Sequence, residues 1–271
     1  MGKTITVSYE EKPCYQIEIQ KDFHLLPEKL KELGYGTNKV CIITDSIVSE
    51  LYLKEIKALL SPMFSFCTSF VFQAGETSKN TVTVGSVYKH LIQKAFDRKD
   101  LLIALGGGVV GDLTGFAAAT YLRGIDFIQV PTSLLAQTDS SIGGKTGVDF
   151  MQYKNMVGAF YMPKLVYMNI SSLNSLPERQ FSAGIAELIK HGFIKDANYT
   201  DFIQKHSDSI MRQEYDTMEE MIYRSCEIKR DVVERDPKEK GERALLNFGH
   251  TIGHAIEKLS NFTLYHGECV A

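Results

Sequence analysis

LLIALGGGVVGDLTGFAAATYL, residues 101–122, is the stretch of sequence that decides the fold. An apolar run of strand length leads into a glycine cluster, and a helical pattern follows the glycines. Gly106, Gly108 and Gly111 satisfy the GxGxxG spacing, in which a backbone without Cβ atoms can approach a pyrophosphate at a helix N-terminus. This context predicts a nucleotide site on a strand–turn–helix unit. The alternative is a tight turn that only packs the helix against a sheet.

Outward from this unit, short β-rich runs alternate with helical patterns over the first 170 residues. The predicted strands are TITVSY, YQIEIQ, KVCIIT, SFCTSFVF, LLIAL and FIQV, and the helical patterns include LPEKLKEL, SELYLKEIKALL and VTVGSVYKHLIQKAF. Such alternation predicts a mostly parallel sheet covered by helices. The first two runs are separated by only a few residues around Pro13, which favours an antiparallel pair. We therefore expect an α/β N-terminal domain with a Rossmann-like, mostly parallel sheet.

The pattern changes after residue 171. Strand-like runs disappear, and the long helical segments PERQFSAGIAELIKHGFIK, TMEEMIYRSCEIKRDVVERD and ALLNFGHTIGHAIEKLS follow one another. These segments predict an all-α C-terminal domain. We place an α/β domain over residues 1–171 and a helical domain over residues 172–271.

Composition narrows the class of protein. The 271 residues are 44% hydrophobic and 23% charged, with a net charge of −3, so a basic nucleic-acid or membrane-surface binder is not favoured. The five cysteines form no CxxC pair, which is typical of a reducing compartment. No run of about 18 apolar residues exists. We expect a soluble, cytoplasmic protein with neither nucleic-acid nor membrane partners.

The nucleotide motif departs from the ordinary dinucleotide-binding pattern. The ribose-binding acid should end the next strand, about 20 residues downstream. Asp126 instead precedes FIQV, whereas Asp45 ends the upstream run KVCIITD. A different strand order is therefore predicted. SSIGGKT ends like a Walker loop, but the first glycine of that motif would fall at Asp139, which excludes a P-loop.

The segment 244–260 has two contrasting faces when it is drawn as one helix at about 100° per residue. Ile252, Ile256 and Leu259 form one stripe, with Ala255 nearby, and we expect this stripe to face the core.

His250, His254 and Glu257 cluster on the opposite face of the same helix. Two histidines one turn apart are a common way to present two imidazoles to one metal or substrate. His266 follows after a short break and can return to the same point. The pattern is compatible with a catalytic metal centre, which usually also needs a carboxylate.

Two lysines have alternative interpretations. Glu187 and Lys190 share a helix face at i, i+3 spacing, either as a solvated ion pair or as site residues. Lys229 lies within the apolar stripe of TMEEMIYRSCEIKRDVVERD. Because lysine is rarely buried without a partner, Lys229 either meets an anionic ligand or extends its charged end to solvent.

With these features in place, the sequence resembles the 3-dehydroquinate synthase family of NAD- and metal-dependent sugar-phosphate cyclases. The likeness runs from about Asp45 to the last residue. It is carried by GETSKN, LGGGVVGD, YLRG, VPTSLLAQTDSSIGGKTGVD, KNMVGAF, AGIAELIKHG, NFGHTIGHAIE and YHGE, in the family's order. The resemblance implies a lyase of the shikimate pathway, which leads to aromatic amino acids.

The family's reaction converts 3-deoxy-D-arabino-heptulosonate 7-phosphate to 3-dehydroquinate and phosphate. It proceeds by transient oxidation of a carbinol with NAD, β-elimination of phosphate, reduction and aldol cyclisation. The resemblance implies that zinc or cobalt is held by Glu187, His250 and His266. It implies that NAD is lined by Asp45, Glu76, Lys79, Gly107, Gly108, Val109, Gly111, Asp112, Thr132, Ser133, Lys145 and Lys154.

The resemblance also implies which residues contact the substrate. They are Asp139, Lys145, Asn155, Lys190, Lys229, Arg243 and Asn247. Lys145, Lys190, Lys229, Arg243 and Asn247 also count among the expected catalytic residues. Glu239 and His254 match residues with proton-transfer roles. Arg123 also counts among the expected substrate-binding residues, because it matches an arginine that reaches a neighbouring subunit's site, which implies a homodimer.

The resemblance has departures and rivals. Family members continue beyond YHGECVA with further helices that include a substrate-binding lysine, and Asp236–Pro237 replaces the family's common Asp-Glu. Sedoheptulose 7-phosphate cyclases are similar, although Lys229, Asn247 and His254 are of the dehydroquinate type. A metal-dependent polyol dehydrogenase and an inactive, shortened NAD-binding form are also compatible with these motifs.

Overall fold

The computed structural model of the chain describes residues 2–151, 153–260 and 263–271, and the side chain of His254 lies outside the described part. Within these residues one seven-stranded sheet has the order β1-β2-β9-β6-β5-β3-β4, and β7 and β8 form a separate hairpin. The strands are β1 (Lys3–Tyr9), β2 (Lys12–Gln20), β3 (Lys39–Asp45), β4 (Phe66–Phe72), β5 (Leu101–Gly106), β6 (Asp126–Pro131), β7 (Lys145–Phe150), β8 (Tyr153–Phe160) and β9 (Leu165–Asn169).

The helices flank the sheet in the first part of the chain and follow one another in the second. They are α1 (Leu26–Glu32), α2 (Ser46–Val48), α3 (Lys54–Leu60), α4 (Thr81–Gln93), α5 (Gly108–Thr120), α6 (Glu178–Lys195), α7 (Ala197–Lys205), α8 (Ser207–Met211), α9 (Tyr215–Arg235), α10 (His250–Leu259) and α11 (His266–Val270). None of the described helices is long and apolar enough to cross a membrane.

The sheet confirms the predicted fold class. The edge strand β1 pairs antiparallel with β2, whereas β2, β9, β6, β5, β3 and β4 run parallel to one another. All six residues of β5 are buried, as expected for a central strand covered by helices on both faces. Val110 and Leu113 of α5 pack on one face, and Leu26 and Ile56 pack on the other.

The hairpin of β7 and β8 and the interior strand β9 were not among the predicted strands. Residues of β8 are mostly half-buried or exposed, so its sequence shows no apolar alternation. Gly147 pairs with Gly158, and a Cβ at Gly158 would lie 2.3 Å from the carbonyl oxygen of Thr146. The close approach of two backbones, rather than hydrophobic burial, therefore defines this hairpin.

The later helices pack directly on the sheet. Leu188 of α6 and Ile222 of α9 share one hydrophobic core with Ile17 of β2 and Met168 of β9. The last strand ends at Asn169, and the 3-10 segment Ile170–Ser175 leads to α6. The proposed boundary between residues 171 and 172 falls in that segment, and the division into two domains stays a prediction.

The prediction for segment 244–260 was wrong in two respects. A 3-10 turn over Glu242–Asn247 and a left-handed Gly249, with φ of 81°, precede α10, so one continuous helix does not form. The expected core stripe faces outward, with Ile252 70% and Leu259 84% exposed.

The opposite face of α10 is the buried one. Glu257 is 2% exposed and makes polar contacts with Lys154 and His266. A buried carboxylate requires partners, so these contacts hold this face of α10 towards the protein interior. Single exposed leucines need no such partners and are common on protein surfaces.

Candidate active site

A cavity of about 600 Å³ lies between the sheet, the β7–β8 hairpin and the helices α6, α9 and α10. The structure brings all of the predicted substrate residues except Arg123 to its lining: Asp139, Lys145, Asn155, Lys190, Lys229, Arg243 and Asn247. Asp112, Glu239, His250 and His266 line it as well. Residues from both halves of the chain therefore form a single site.

The three predicted metal ligands converge at this cavity. Glu187 comes from the middle of α6, His250 begins α10 and His266 begins α11. One ligand atom from each of Glu187, His250 and His266 lies within 4.8 Å of the other two. Two imidazoles and a carboxylate form a donor set that suits a catalytic zinc or a similar divalent ion.

Hydrogen bonds define which nitrogen of each histidine faces the cluster. His250 Nδ1 lies 3.2 Å from the carbonyl oxygen of Phe248, and His266 Nδ1 lies 2.8 Å from Glu257 Oε1. Carbonyl and carboxylate oxygens only accept, so both Nδ1 atoms donate. Each Nε2 atom is then available as a metal ligand.

The acceptor atoms of the cluster point at one another. The two Nε2 atoms are 3.1 Å apart, and Glu187 Oε1 lies 3.5 Å from His266 Nε2. Glu187 Oε1 is buried and has no hydrogen-bond partner among the described residues. Converging lone pairs beside a buried carboxylate oxygen fit a cation between them, so the residues present suit a divalent metal.

The electrostatics of the two imidazoles differ. Burial lowers the pKa of His250, and the charge on Lys190 acts in the same direction. Burial also lowers the pKa of His266, but the hydrogen bond to Glu257 and the charge on Glu187 outweigh it and raise the pKa. Burial raises the pKa of Glu257, yet His266 and Lys154 together bring it to about 2. Glu257 is therefore an ionised carboxylate.

Both lysines with alternative interpretations are buried. Lys190 is 5% exposed and forms an ion pair with the fully buried Glu187, so the solvated-pair interpretation was wrong. Lys229 is also 5% exposed and donates to Asp139, so it does not extend to solvent. Burial raises the pKa of Asp139, but Lys229 and Lys190 outweigh that effect and hold it far below its usual range.

A second group of polar residues lies at the mouth of the cavity. Lys145 forms an ion pair with Glu239, whose other oxygen accepts from Asn247 Nδ2 at 2.9 Å.

Arg243 is a buried part of the cavity lining: it is 2% exposed and donates to the carbonyl oxygens of Pro237 at 2.8 Å and Gly143 at 3.2 Å. Lysine and arginine side chains thus reach the same cavity from β7, α6, α9 and the 3-10 turn.

The glycine loop leaves a helix start open. Gly107 caps α5 without a side-chain hydrogen bond, so no side chain of the cap satisfies the backbone N–H groups of the first turn. A Cβ at Gly107 would lie 3.5 Å from Ser133 Oγ, and a Cβ at Gly111 would lie 2.5 Å from Gln129 Oε1. Tight packing therefore accounts for Gly111, whereas the nucleotide interpretation of Gly107 and Gly108 stays a prediction.

Lys79 connects the glycine helix to the hairpin. Its Nζ lies 2.7 Å from Asp112 on α5 and 2.6 Å from Asn155 on β8, and Glu76 is 4.0 Å away. Lys79 is 4% exposed, so this network is largely shielded from solvent. Four predicted cofactor or substrate residues thus meet at one point.

The remaining predicted cofactor residues have separate positions. Asp45 ends β3, and its carboxylate accepts from the backbone of Ile47 and Val48 at 2.9 Å. The N–H group of Thr132 donates to the carbonyl oxygen of Gly106 at 3.0 Å, and Lys154 contacts Glu257 at 3.4 Å. Gly108 and Val109 form the first turn of α5.

The positions of Arg123 and His254 leave their predicted roles untested. Arg123 is exposed, has a left-handed φ of 67° and is not among the residues that line the cavity. The side chain of His254 lies outside the described residues. The sequence placed Glu257 on the same helix face as the histidines but gave it no role. Its burial, which would have indicated one, is visible only in the structure.

Comparisons with known proteins agree with this geometry. The profile described as 3-dehydroquinate synthase N-terminal matches residues 69–183, and the profile described as 3-dehydroquinate synthase C-terminal matches residues 184–271. The 3-dehydroquinate synthase of Ruminiclostridium cellulolyticum is 47% identical over 266 residues, which cover 98% of this chain and 74% of that protein.

Solved structures show the same architecture. The 2-epi-5-epi-valiolone synthase of Streptomyces hygroscopicus, determined with NAD+ and Zn2+, is similar with a TM-score of 0.87 and 27% identity, over 98% of this chain and 74% of that chain. An iron-containing alcohol dehydrogenase reaches a TM-score of 0.73 at 12% identity, over 98% of this chain and 76% of that chain, which shows a shared fold only. By its matching profiles and its close relative, the chain belongs to the 3-dehydroquinate synthase family.

Proposed function

We propose that the chain catalyses the conversion of 3-deoxy-D-arabino-heptulosonate 7-phosphate to 3-dehydroquinate and phosphate, with NAD and a divalent metal as cofactors. The observation that carries this proposal is the single cavity in which the Glu187, His250 and His266 cluster meets buried cationic side chains. The family's substrate has a phosphate and a carboxylate, and both are anions that such side chains bind.

The proposed substrate-binding residues form two groups, one buried in the cavity and one at its mouth. Lys190, Lys229 and Arg243 are buried in the lining of the cavity and hold the anionic groups of the substrate. Lys145 and Asn247, at the mouth of the cavity, are held by Glu239. Each of these five residues contacts substrate in the proposal and contributes to positioning its reacting atoms.

Both cofactors have a place in the chain. Glu187, His250 and His266 would hold zinc or cobalt, and the start of α5, with Ser133, Lys79 and Asp112, would hold NAD. When bound, NAD takes up and returns a hydride, and the metal polarises an oxygen of the substrate as a Lewis acid. The protein's own residues orient the substrate between these groups and exclude water.

Proton transfer is assigned to the mouth of the cavity. Burial raises the pKa of Glu239, but the hydrogen bonds from Lys145 and Asn247 outweigh it and lower the pKa. Glu239 is therefore ionised, and in the proposal this carboxylate at the site entrance takes part in proton transfer. His254, the second proton-transfer residue of the proposal, lies on the same helix as His250.

The proposal also covers the oligomeric state and the cellular location. Arg123 is exposed at the end of the turn that follows α5 and does not line the cavity of its own chain, which supports a role for it in the site of a second copy. We therefore retain a homodimer, and cytoplasmic location, as parts of the proposed function.

Phosphate release tests the proposal directly. The purified chain would be given 3-deoxy-D-arabino-heptulosonate 7-phosphate with NAD and Zn2+ or Co2+, before and after chelation of the metal. We expect metal-dependent release of phosphate, formation of 3-dehydroquinate and no accumulation of NADH.

Each rival function gives a different result. Turnover of sedoheptulose 7-phosphate instead would identify a different cyclase. Steady NADH production from a polyol would identify a dehydrogenase. A chain that binds NAD and one metal ion but releases no phosphate from either sugar would be an inactive member of the family.

A further inference from the structure

Glu257 is a buried carboxylate that links two parts of the site. It is 2% exposed although it lies on α10, whose other face is open to solvent. Its Oε1 atom accepts from His266 Nδ1 at 2.8 Å, and its Oε2 atom lies 3.4 Å from Lys154 Nζ. Burial of a carboxylate costs free energy unless hydrogen bonds or ion pairs compensate for the lost hydration, and Glu257 has one contact of each kind.

The contact with His266 determines the tautomer of that imidazole. A carboxylate accepts but does not donate, so His266 carries its proton on Nδ1 and leaves the lone pair on Nε2. That Nε2 atom lies 3.1 Å from His250 Nε2 and 3.5 Å from Glu187 Oε1. Rotation of the ring, or the other tautomer, would remove this lone pair from the cluster.

We propose that Glu257 is a positioning residue that orients His266 as a metal ligand and connects it, through Lys154, to the NAD side of the cavity. The inference rests on the metal site of the proposed function and goes beyond it, because Glu257 is not itself a ligand. Carboxylates behind metal-bound histidines fix the ring and increase the basicity of the ligand, and their loss weakens metal binding by about 10- to 100-fold.

The contact with Lys154 adds a connection between elements. Lys154 belongs to β8, the exposed strand of the hairpin, whereas Glu257 lies on α10 and His266 begins α11. The carboxylate therefore joins the hairpin, a predicted part of the NAD site, to a metal ligand in one chain of polar contacts. A movement of β8 would therefore act on the His266 ring through Lys154 and Glu257.

Two variants test the inference in the full 271-residue chain. Glu257→Ala removes the acceptor for His266 Nδ1, and Glu257→Gln keeps an acceptor while it removes the charge. Zn2+ affinity would be measured by calorimetry against a competing chelator. Long-range proton–nitrogen NMR spectra of the metal-free chain would report the tautomer of His266 independently. Glu227→Ala, on α9, removes a half-exposed carboxylate and serves as the control.

We expect Glu257→Ala to lower Zn2+ affinity by about 10- to 100-fold and to move the His266 proton away from Nδ1. Glu257→Gln should keep most of the affinity and the tautomer, and Glu227→Ala should change neither. Unchanged Zn2+ affinity in Glu257→Ala, or an unchanged tautomer, would overturn the inference.

The failure of the proposed function would look different. If the wild-type chain bound no Zn2+, the metal centre itself would be rejected and the role of Glu257 as a metal-positioning residue would fall with it. If the wild-type chain bound Zn2+ and the Ala and Gln variants lost affinity equally, the metal centre would stand and the hydrogen-bond account of Glu257 would be rejected.

Discussion

The helices α5 and α10 border the same site but are held in opposite ways. α5 buries Val110, Leu113 and Ala117 in a hydrophobic core against the sheet. α10 exposes Ile252 and Leu259 and buries the carboxylate of Glu257. The comparison teaches that hydrophobic burial positions α5, whereas polar contacts position α10.

The largest expected effect is the loss of a ligand on α10. His250→Asn should lower the rate of phosphate release by about a thousandfold or more, because metal polarisation contributes several kcal/mol to the transition state. The free energy of unfolding should change far less, since His250 is only half-buried. Phosphate assays, Zn2+ titration and urea unfolding on the same preparation provide the measurement. A large loss of stability without loss of Zn2+ binding would contradict the comparison.

The reverse result is expected on α5. Leu113 is fully buried, so Leu113→Ala should lower the free energy of unfolding by about 2–5 kcal/mol. Zn2+ affinity, measured at a temperature where the variant stays folded, should be unchanged because α5 supplies no metal ligand. Weakened Zn2+ binding in this variant would show that the two sides of the cavity are not held independently.

A buried histidine near the metal side predicts a dependence of stability on pH. Burial lowers the pKa of His191 from 6.5 to about 3, with Lys190 and Lys229 acting in the same direction and Asp139 opposing them. Below pH 6.5 the unfolded chain binds a proton that the folded chain does not. The contribution of His191 is therefore present above pH 6.5 and decreases as the pH falls towards 3, by up to about 1.4 kcal/mol per pH unit.

Urea unfolding at several pH values between about 7 and 5 checks this dependence. His191→Gln should flatten the acid side of the stability curve, whereas His24→Gln, at an exposed position, should leave it unchanged. The same slope in His191→Gln and wild type would show that another group causes the decrease.

The smallest expected effect concerns the outward face of α10. Leu259 is 84% exposed, so Leu259→Gln should change the free energy of unfolding by no more than about 0.5 kcal/mol. Thermal and urea unfolding of the two chains side by side provide the measurement. A loss of about 2 kcal/mol or more would mean that this face is covered in solution and that the predicted core stripe was right.

The sequence predicted most of the sheet because burial leaves a strong local pattern. β3 and β5 are continuous apolar runs, and the antiparallel pair β1–β2 is indicated by its short connection. The hairpin of β7 and β8 left no such pattern, because close glycine backbones rather than apolar side chains define it. Its strands therefore became visible only in the structure.

The candidate site was predictable in membership but not in arrangement. Motif resemblance named Glu187, His250 and His266, and the structure brings them within 4.8 Å of one another. Helical periodicity alone assigned the wrong face of α10 to the core, because periodicity separates apolar from polar residues without saying which face is buried. The role of Glu257 depends on contacts across 103 and 9 residues of sequence, with Lys154 and His266.

The most direct test of the central claim is the coordination of a metal by the polar face of α10. X-ray absorption on the chain loaded with Zn2+ should show one ion per chain, bound by two imidazole nitrogens and at least one carboxylate oxygen, and this signal should be lost in His250→Asn. A stoichiometric ion with a single histidine ligand, or a spectrum unchanged in His250→Asn, would contradict the account.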